Sequence, residues 1–126
     1  MNILVDTSVW VDHFKNSNAE LMHLMMLDSV LIHPMVLGEL ACGTPPSPRK
    51  QTLADLGLLR PVHEANLTEV MAFIEQKKLY GLGCGLIDIH LLASTLITPE
   101  TQLWTYDKRL NKLARQLNVA YFPRHH

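Results

Sequence analysis

Ile3-Leu4-Val5-Asp6-Thr7-Ser8 is the stretch that decides the fold. Its first three residues form a short, continuously apolar run, which predicts a strand buried on both faces. The run ends at Asp6-Thr7-Ser8. Val9, Trp10, Val11 and Phe14 then follow as apolar members of a helix expected over residues 8–15. A carboxylate therefore falls where a central strand passes into a helix. In open parallel α/β sheets, ligands bind at that carboxyl edge.

The rest of the chain repeats the strand–helix alternation. Residues 16–18 break the first helix, and a second is expected over 19–28. Residues 31–33 suit a second parallel strand. Pro34 suits a first helical position, opening a helix through Ala41 that is apolar nearly all round except at Glu39. The Pro-rich stretch 43–48 is a loop. A short helix is expected over 49–56, with Gly57 as its C-cap. Residues 59–62 suit an edge strand, since Pro61 excludes a central one. Asn66-Leu67-Thr68-Glu69 reads as a capping box for a helix to about Leu79. Gly81, Gly83 and Gly85 lead to a helix over 86–97, apolar around most of its surface and so expected to be central. Residues 103–105 suit a strand. Asp107 precedes a helix with a core stripe of Leu110, Leu113, Ala114 and Leu117. Residues 119–121 are a last strand candidate. This order predicts a three-layer α/β/α sandwich around a mostly parallel sheet of about five strands.

At 126 residues with 48% apolar and 18% charged content, a single domain over residues 1–126 with a real core is expected. No apolar run reaches membrane-spanning length, and no basic segment precedes the first apolar run. A cytoplasmic protein is the expectation. Cys42 and Cys84 stand alone and far apart, forming neither a zinc pattern nor a disulfide framework. A net charge of −1 carries no global signature of nucleic-acid binding, so such binding must rest on local patches. His125 and His126 resemble the stub of an expression tag.

Four acids lie in or beside apolar segments: Asp6, Glu39, Asp88 and Asp107. A buried carboxylate must be paired or bound to metal, because leaving it alone costs several kcal/mol, roughly. Few basic residues flank Glu39 or Asp88, and hard oxygen donors point to Mg²⁺ or Mn²⁺. Each acid also has an ordinary reading. Asp6 and Asp107 suit helix N-caps. Glu39 suits an exposed position, and Asp88 suits a first turn rich in free N–H groups. One shared explanation is preferred to four separate ones.

The pattern resembles the PIN-domain nucleases, most closely the VapC-type toxins of toxin–antitoxin pairs. The resemblance spans nearly the whole chain. It rests on Ile3-Leu-Val-Asp6-Thr-Ser8-Val-Trp10, Gly38-Glu39-Leu40, Gly85-Leu-Ile-Asp88-Ile-His90-Leu-Leu-Ala93 and Leu103-Trp-Thr105-Tyr-Asp107-Lys-Arg109-Leu110. It implies that Asp6, Glu39, Asp88 and Asp107 form a catalytic metal site. Asp6 and Asp88 would be the principal ligands of Mg²⁺ or Mn²⁺, with Ser8 and Thr105 as supporting hydroxyls. It also implies ribonuclease activity, a homodimer and neutralisation by a cognate VapB-type antitoxin. Transfer RNA is the first expected target and ribosomal RNA the second. The glycine-rich stretch 81–85 departs from the expected pattern.

Lys108 and Arg109 adjoin Asp107 and are candidates for holding the RNA backbone, whereas Lys112 and Arg115 suit a solvated face. His90, two residues from Asp88, is expected to be buried rather than a ligand. Trp10, Phe14 and Met22 to Met26 are core candidates that also suit a groove for a partner helix. A ribonuclease H-like fold would need an early antiparallel meander, a haloacid dehalogenase an Asp-x-Asp, and a phospho-receiver an adjacent acidic pair. None is present. A non-catalytic PIN-like module for binding RNA or protein is the alternative.

Overall fold

The computed structural model describes residues 1–123. His125 and His126 lie outside the described residues. The elements run β1 (Asn2–Val5), α1 (Thr7–Asn16), α2 (Ala19–Met26), β2 (Val30–Ile32), α3 (Pro34–Cys42), α4 (Arg49–Gly57), β3 (Arg60–Pro61), α5 (Leu67–Lys77), α6 (Leu86–Ile97), β4 (Thr101–Trp104) and α7 (Lys108–Gln116).

The strands form one parallel sheet in the order β3-β2-β1-β4. Ile3, Leu4 and Val5 are all buried although successive side chains point to opposite faces. Helices therefore cover both sides of β1, which is the three-layer arrangement. Each such side chain contributes roughly 1.5–3 kcal/mol by leaving water. β1 is flanked by β2 and by β4, so the strand order reverses direction at β1. That is where an open α/β sheet makes its crevice.

Three expectations shift. The sheet has four strands among the described residues rather than about five. Residues 119–121 give only a one-residue bridge, Ala120 to Leu103, held by Leu103 N–H on Val119 O (2.7 Å) and Tyr121 N–H on Leu103 O (2.9 Å). The second helix stops at Met26 rather than Asp28. Asp28 turns left-handed (φ 54°), and Ser29 N–H returns to Leu24 O at 3.0 Å. Gly57 is the last residue of α4 and not its cap. Leu58 ends the helix in a right-handed conformation that needs no glycine.

Candidate active site

Asp6 stands at the N-cap position of α1 with extended backbone (φ −72°, ψ 157°), yet it makes no side-chain cap. Its carboxylate instead takes two hydroxyl protons on one oxygen. Oδ2 accepts from Ser8 Oγ at 2.8 Å and from Thr105 Oγ1 at 2.7 Å. Sheet register explains the second bond. Val5 pairs with Trp104, so the next residues, Asp6 and Thr105, leave the sheet side by side. Both hydroxyls then accept from the following turn, Ser8 Oγ from Tyr106 N–H and Thr105 Oγ1 from Asp107 N–H, each at 3.0 Å. Asp6 is buried, and Oδ1 takes no hydrogen bond among the described residues.

The other acids come from three helices. Glu39, half-buried on α3, accepts from Thr7 Oγ1 at 2.6 Å. Asp88 lies in the first turn of α6, where its Oδ2 accepts from Gly85 N–H at 3.2 Å. Asp107 caps α7, with Oδ1 accepting from Leu110 N–H at 2.9 Å. The cap reading thus holds for Asp107 and fails for Asp6.

Electrostatics ties the four together. Burial raises the Asp88 carboxyl above the usual range. The Gly85 hydrogen bond opposes this, and the charges of Asp6, Asp107 and Glu39 push it further up. None of the four acids forms an ion pair among the described residues, where the sole salt bridge joins Arg60 to Asp28 at 3.6 Å. Nor do any three His, Cys, Asp or Glu among the described residues close into a ready-made metal cage. The donor set still fits a hard divalent cation that keeps several of its own waters and needs one or two direct carboxylates. A cation would also relieve the charge conflict at Asp88.

The neighbours sort themselves by geometry. His90 is buried with Nδ1 unpartnered, and its ring lies 6.3 Å from His33 at a steep angle. Burial, with Asp88 and Asp107 nearby, raises the Cys84 thiol while Arg109 opposes. Lys108 and Arg109 are exposed beside Asp107. Thr7, which donates to Glu39, is a site residue that the sequence pattern does not mark. Its only signal is a hydroxyl directly after Asp6, because its partner lies 32 residues away. A groove of about 330 Å³ runs from Thr7 and Glu39 past Val11 and Phe14 to Pro45 and Pro46. Trp10 is buried and lines no part of it, which corrects its place as a docking candidate. Met22 and Met26 are exposed but also lie outside it.

Where the strand order reverses, Asp88 feels the charges of Asp6, Glu39 and Asp107, and none of the four is ion-paired among the described residues, which defines a class of acid-site α/β proteins. The chain belongs to the PIN domain family, in its VapC-type branch, and the family match covers residues 3–116. It is similar to Ribonuclease VapC32 of Mycobacterium tuberculosis, in strain CDC 1551 / Oshkosh and in strain ATCC 25618 / H37Rv alike. Each match is 36% identical over 121 residues, covering 94% of this chain and 94% of the relative.

Proposed function

We infer that the protein is a metal-dependent endoribonuclease toxin. The observation that carries this reading is Asp88, a carboxyl raised by burial and pushed further up by Asp6, Asp107 and Glu39, with no ion pair to any of the four among the described residues. The ribonuclease name of the relative supports the substrate class. Asp6 and Asp88 would hold Mg²⁺ or Mn²⁺ directly, with Glu39 and Asp107 completing the site directly or through water. Bound there, the ion would supply Lewis acidity and a nucleophilic water at neutral pH. Ser8 and Thr105 hold the Asp6 carboxylate through Oδ2, which would leave Oδ1 for the ion, and Thr7 holds Glu39. Water oxygen joins phosphorus as the bond to the leaving ribose oxygen breaks, without a covalent enzyme intermediate. Lys108 and Arg109 are the cations closest in sequence to these acids and suit the RNA backbone.

In this reading the protein is one domain, works in the cytoplasm, forms a homodimer and is neutralised by a VapB-type antitoxin. The groove beside Glu39 suits an apolar segment from that partner, with Phe14 in its wall. A basic side chain extended from it would meet the four acids and compete with metal. Inhibition should therefore weaken as metal concentration rises. Transfer RNA is the first target to test and ribosomal RNA the second.

The test is cleavage of purified RNA. The protein should cut with Mg²⁺ or Mn²⁺ and stop in EDTA, and undiminished cutting in EDTA would remove the mechanism. Expression in a bacterial host should arrest growth, and co-expression of the antitoxin should restore it. If expression is harmless and RNA stays intact, the non-catalytic binding module becomes the better reading.

A further inference from the structure

Gly83 and Arg109 are built against each other. Gly83 has φ +84°, a conformation that side chains rarely adopt. A Cβ at Gly83 would also stand 2.7 Å from Arg109 Cδ and from Arg109 Nη1. The guanidinium thus lies directly on the loop backbone, with Nη1 3.5 Å from Gly83 O. The glycine-rich stretch that departs from the family pattern is therefore the seat of one arginine.

That seat opens onto a groove of about 250 Å³ lined by Leu82, Arg109, Lys112, Leu113 and Gln116. Arg109, Lys112 and Gln116 follow at helical spacing, so they share one face of α7. Lys108 and Arg115 do not line it, and Arg115 instead lies 5.7 Å over the Phe122 ring. Neither Arg109 nor Lys112 is ion-paired among the described residues. The cations sit beside the acids without neutralising them. Arg109 follows the acid Asp107 by two residues and rests on Gly83, the neighbour of Cys84, whose thiol is influenced by Asp88, Asp107 and Arg109 alike.

Four carboxylates repel an incoming polyanion, and the chain as a whole offers no positive field to offset them, with a net charge of −1. Cations that stay free next to the acids answer that need. A guanidinium held to the loop through Nη1 keeps further N–H donors for a phosphate, and Gln116 offers a neutral donor further along. Exposed Leu82 forms an apolar wall suited to a ribose or base edge. We propose that the groove between the Gly81 to Gly85 loop and α7 holds a phosphodiester next to the one cut, gripped by Arg109 and Lys112 on the Gly83 seat. This rests on the ribonuclease reading and assigns Lys112 a role that its sequence context did not suggest.

The test is binding of a labelled single-stranded RNA in EDTA, followed by fluorescence anisotropy at several salt concentrations, with cleavage in Mg²⁺ measured alongside. Arg109→Ala and Lys112→Ala should each weaken binding about fivefold and lower the salt slope by about 0.7. Lys77→Ala, on α5, should leave both unchanged. Gly83→Ala should match Arg109→Ala. If it fails to fold, the two cation variants decide alone. Wild-type affinity and slope in both variants would overturn the groove while leaving the ribonuclease reading intact, provided the parent protein cuts RNA. A parent that neither binds nor cuts RNA would overturn the ribonuclease reading and the groove with it. Variants that bind RNA normally but lose an acidic protein partner would reassign the groove to that partner.

Discussion

Asp6 and Asp107 occupy the same local position, the residue before a helix that leaves a parallel strand, and the structure uses them differently. Asp107 spends Oδ1 on the free N–H of Leu110, as an N-cap should. Asp6 gives up that bond, worth about 1 kcal/mol, and receives the Ser8 and Thr105 hydroxyls on Oδ2. The first helix is thus left less stable than it could be so that a buried carboxylate can be aimed. The seventh helix is capped by an acid that faces solvent. The same residue in the same local frame carries a different share of stability and chemistry, decided by what the neighbouring strand brings alongside.

The sharpest way to break this contrast is Asp6→Asn. The variant should fold and lose cleavage by about 10³-fold or more, well beyond the 10–100-fold of an outer-shell loss. Normal cleavage by a folded Asp6→Asn protein would make Asp6 a spectator. Next comes Thr105→Val, which keeps shape and removes one of the two donors to Asp6. Activity should fall about 10- to 100-fold, as for loss of a group that orients a ligand. Raising Mg²⁺ should recover part of it, and a loss insensitive to metal would mean that Thr105 serves only packing.

The local half of this design was legible in the sequence. Apolar runs placed β1, β2 and β4, and Asn66 with Glu69 forms the expected capping box, each side chain accepting the other's backbone N–H (2.8 and 2.9 Å). The four acids stood out because their segments are otherwise apolar. What escaped was non-local. Whether Asp6 caps a helix depends on Thr105, 99 residues away and brought in by register. Gly83 reads as mere flexibility until Arg109 is laid on it. Trp10 belongs to the core and not to the groove because α1 turns Thr7, Val11, Phe14 and Lys15 to that side instead. Residues 119–121 look like a strand, but only Ala120 pairs.

A smaller effect separates the acids by stability. Asp107→Ala should cost about 1 kcal/mol through its lost cap, whereas Asp107→Asn should cost little, since Asn caps as well as Asp. Asp88→Asn should act in the opposite direction. A carboxyl raised in the fold is destabilising once ionised, and that penalty grows as pH rises through its folded value. The substitution should raise the metal-free melting temperature by about 2 °C, kept small by solvent screening. Saturating Mg²⁺ should close the gap by stabilising only the parent. Equal melting temperatures without metal would show that the four charges do not gather at Asp88.

The smallest effect concerns the helix that carries Glu39. His33 caps α3 by accepting Met35 N–H on Nδ1 at 3.0 Å, while Nε2 lies 3.2 Å from Ser94 Oγ. Because Nδ1 accepts, the proton of the neutral ring sits on Nε2 and is given to Ser94. Ser94 also accepts from Ala65 N–H at 3.1 Å. A second proton could go only to Nδ1, facing the Met35 N–H and cancelling the cap. Burial lowers the His33 pKa below its usual 6.5, Glu64 opposes, and His90 adds to the fall. The sign follows: the folded state prefers neutral His33, so its contribution is complete above about pH 6.5 and is lost as pH falls below that value toward the folded one. Between pH 7.5 and 5.5 the urea midpoint should drop by about 0.3 M through this group. His33→Asn retains a cap that cannot titrate and should remove that part of the drop, although it leaves His90 in place. An unchanged pH dependence in the variant would place the acid sensitivity elsewhere and leave the Glu39 helix anchored at every pH tested.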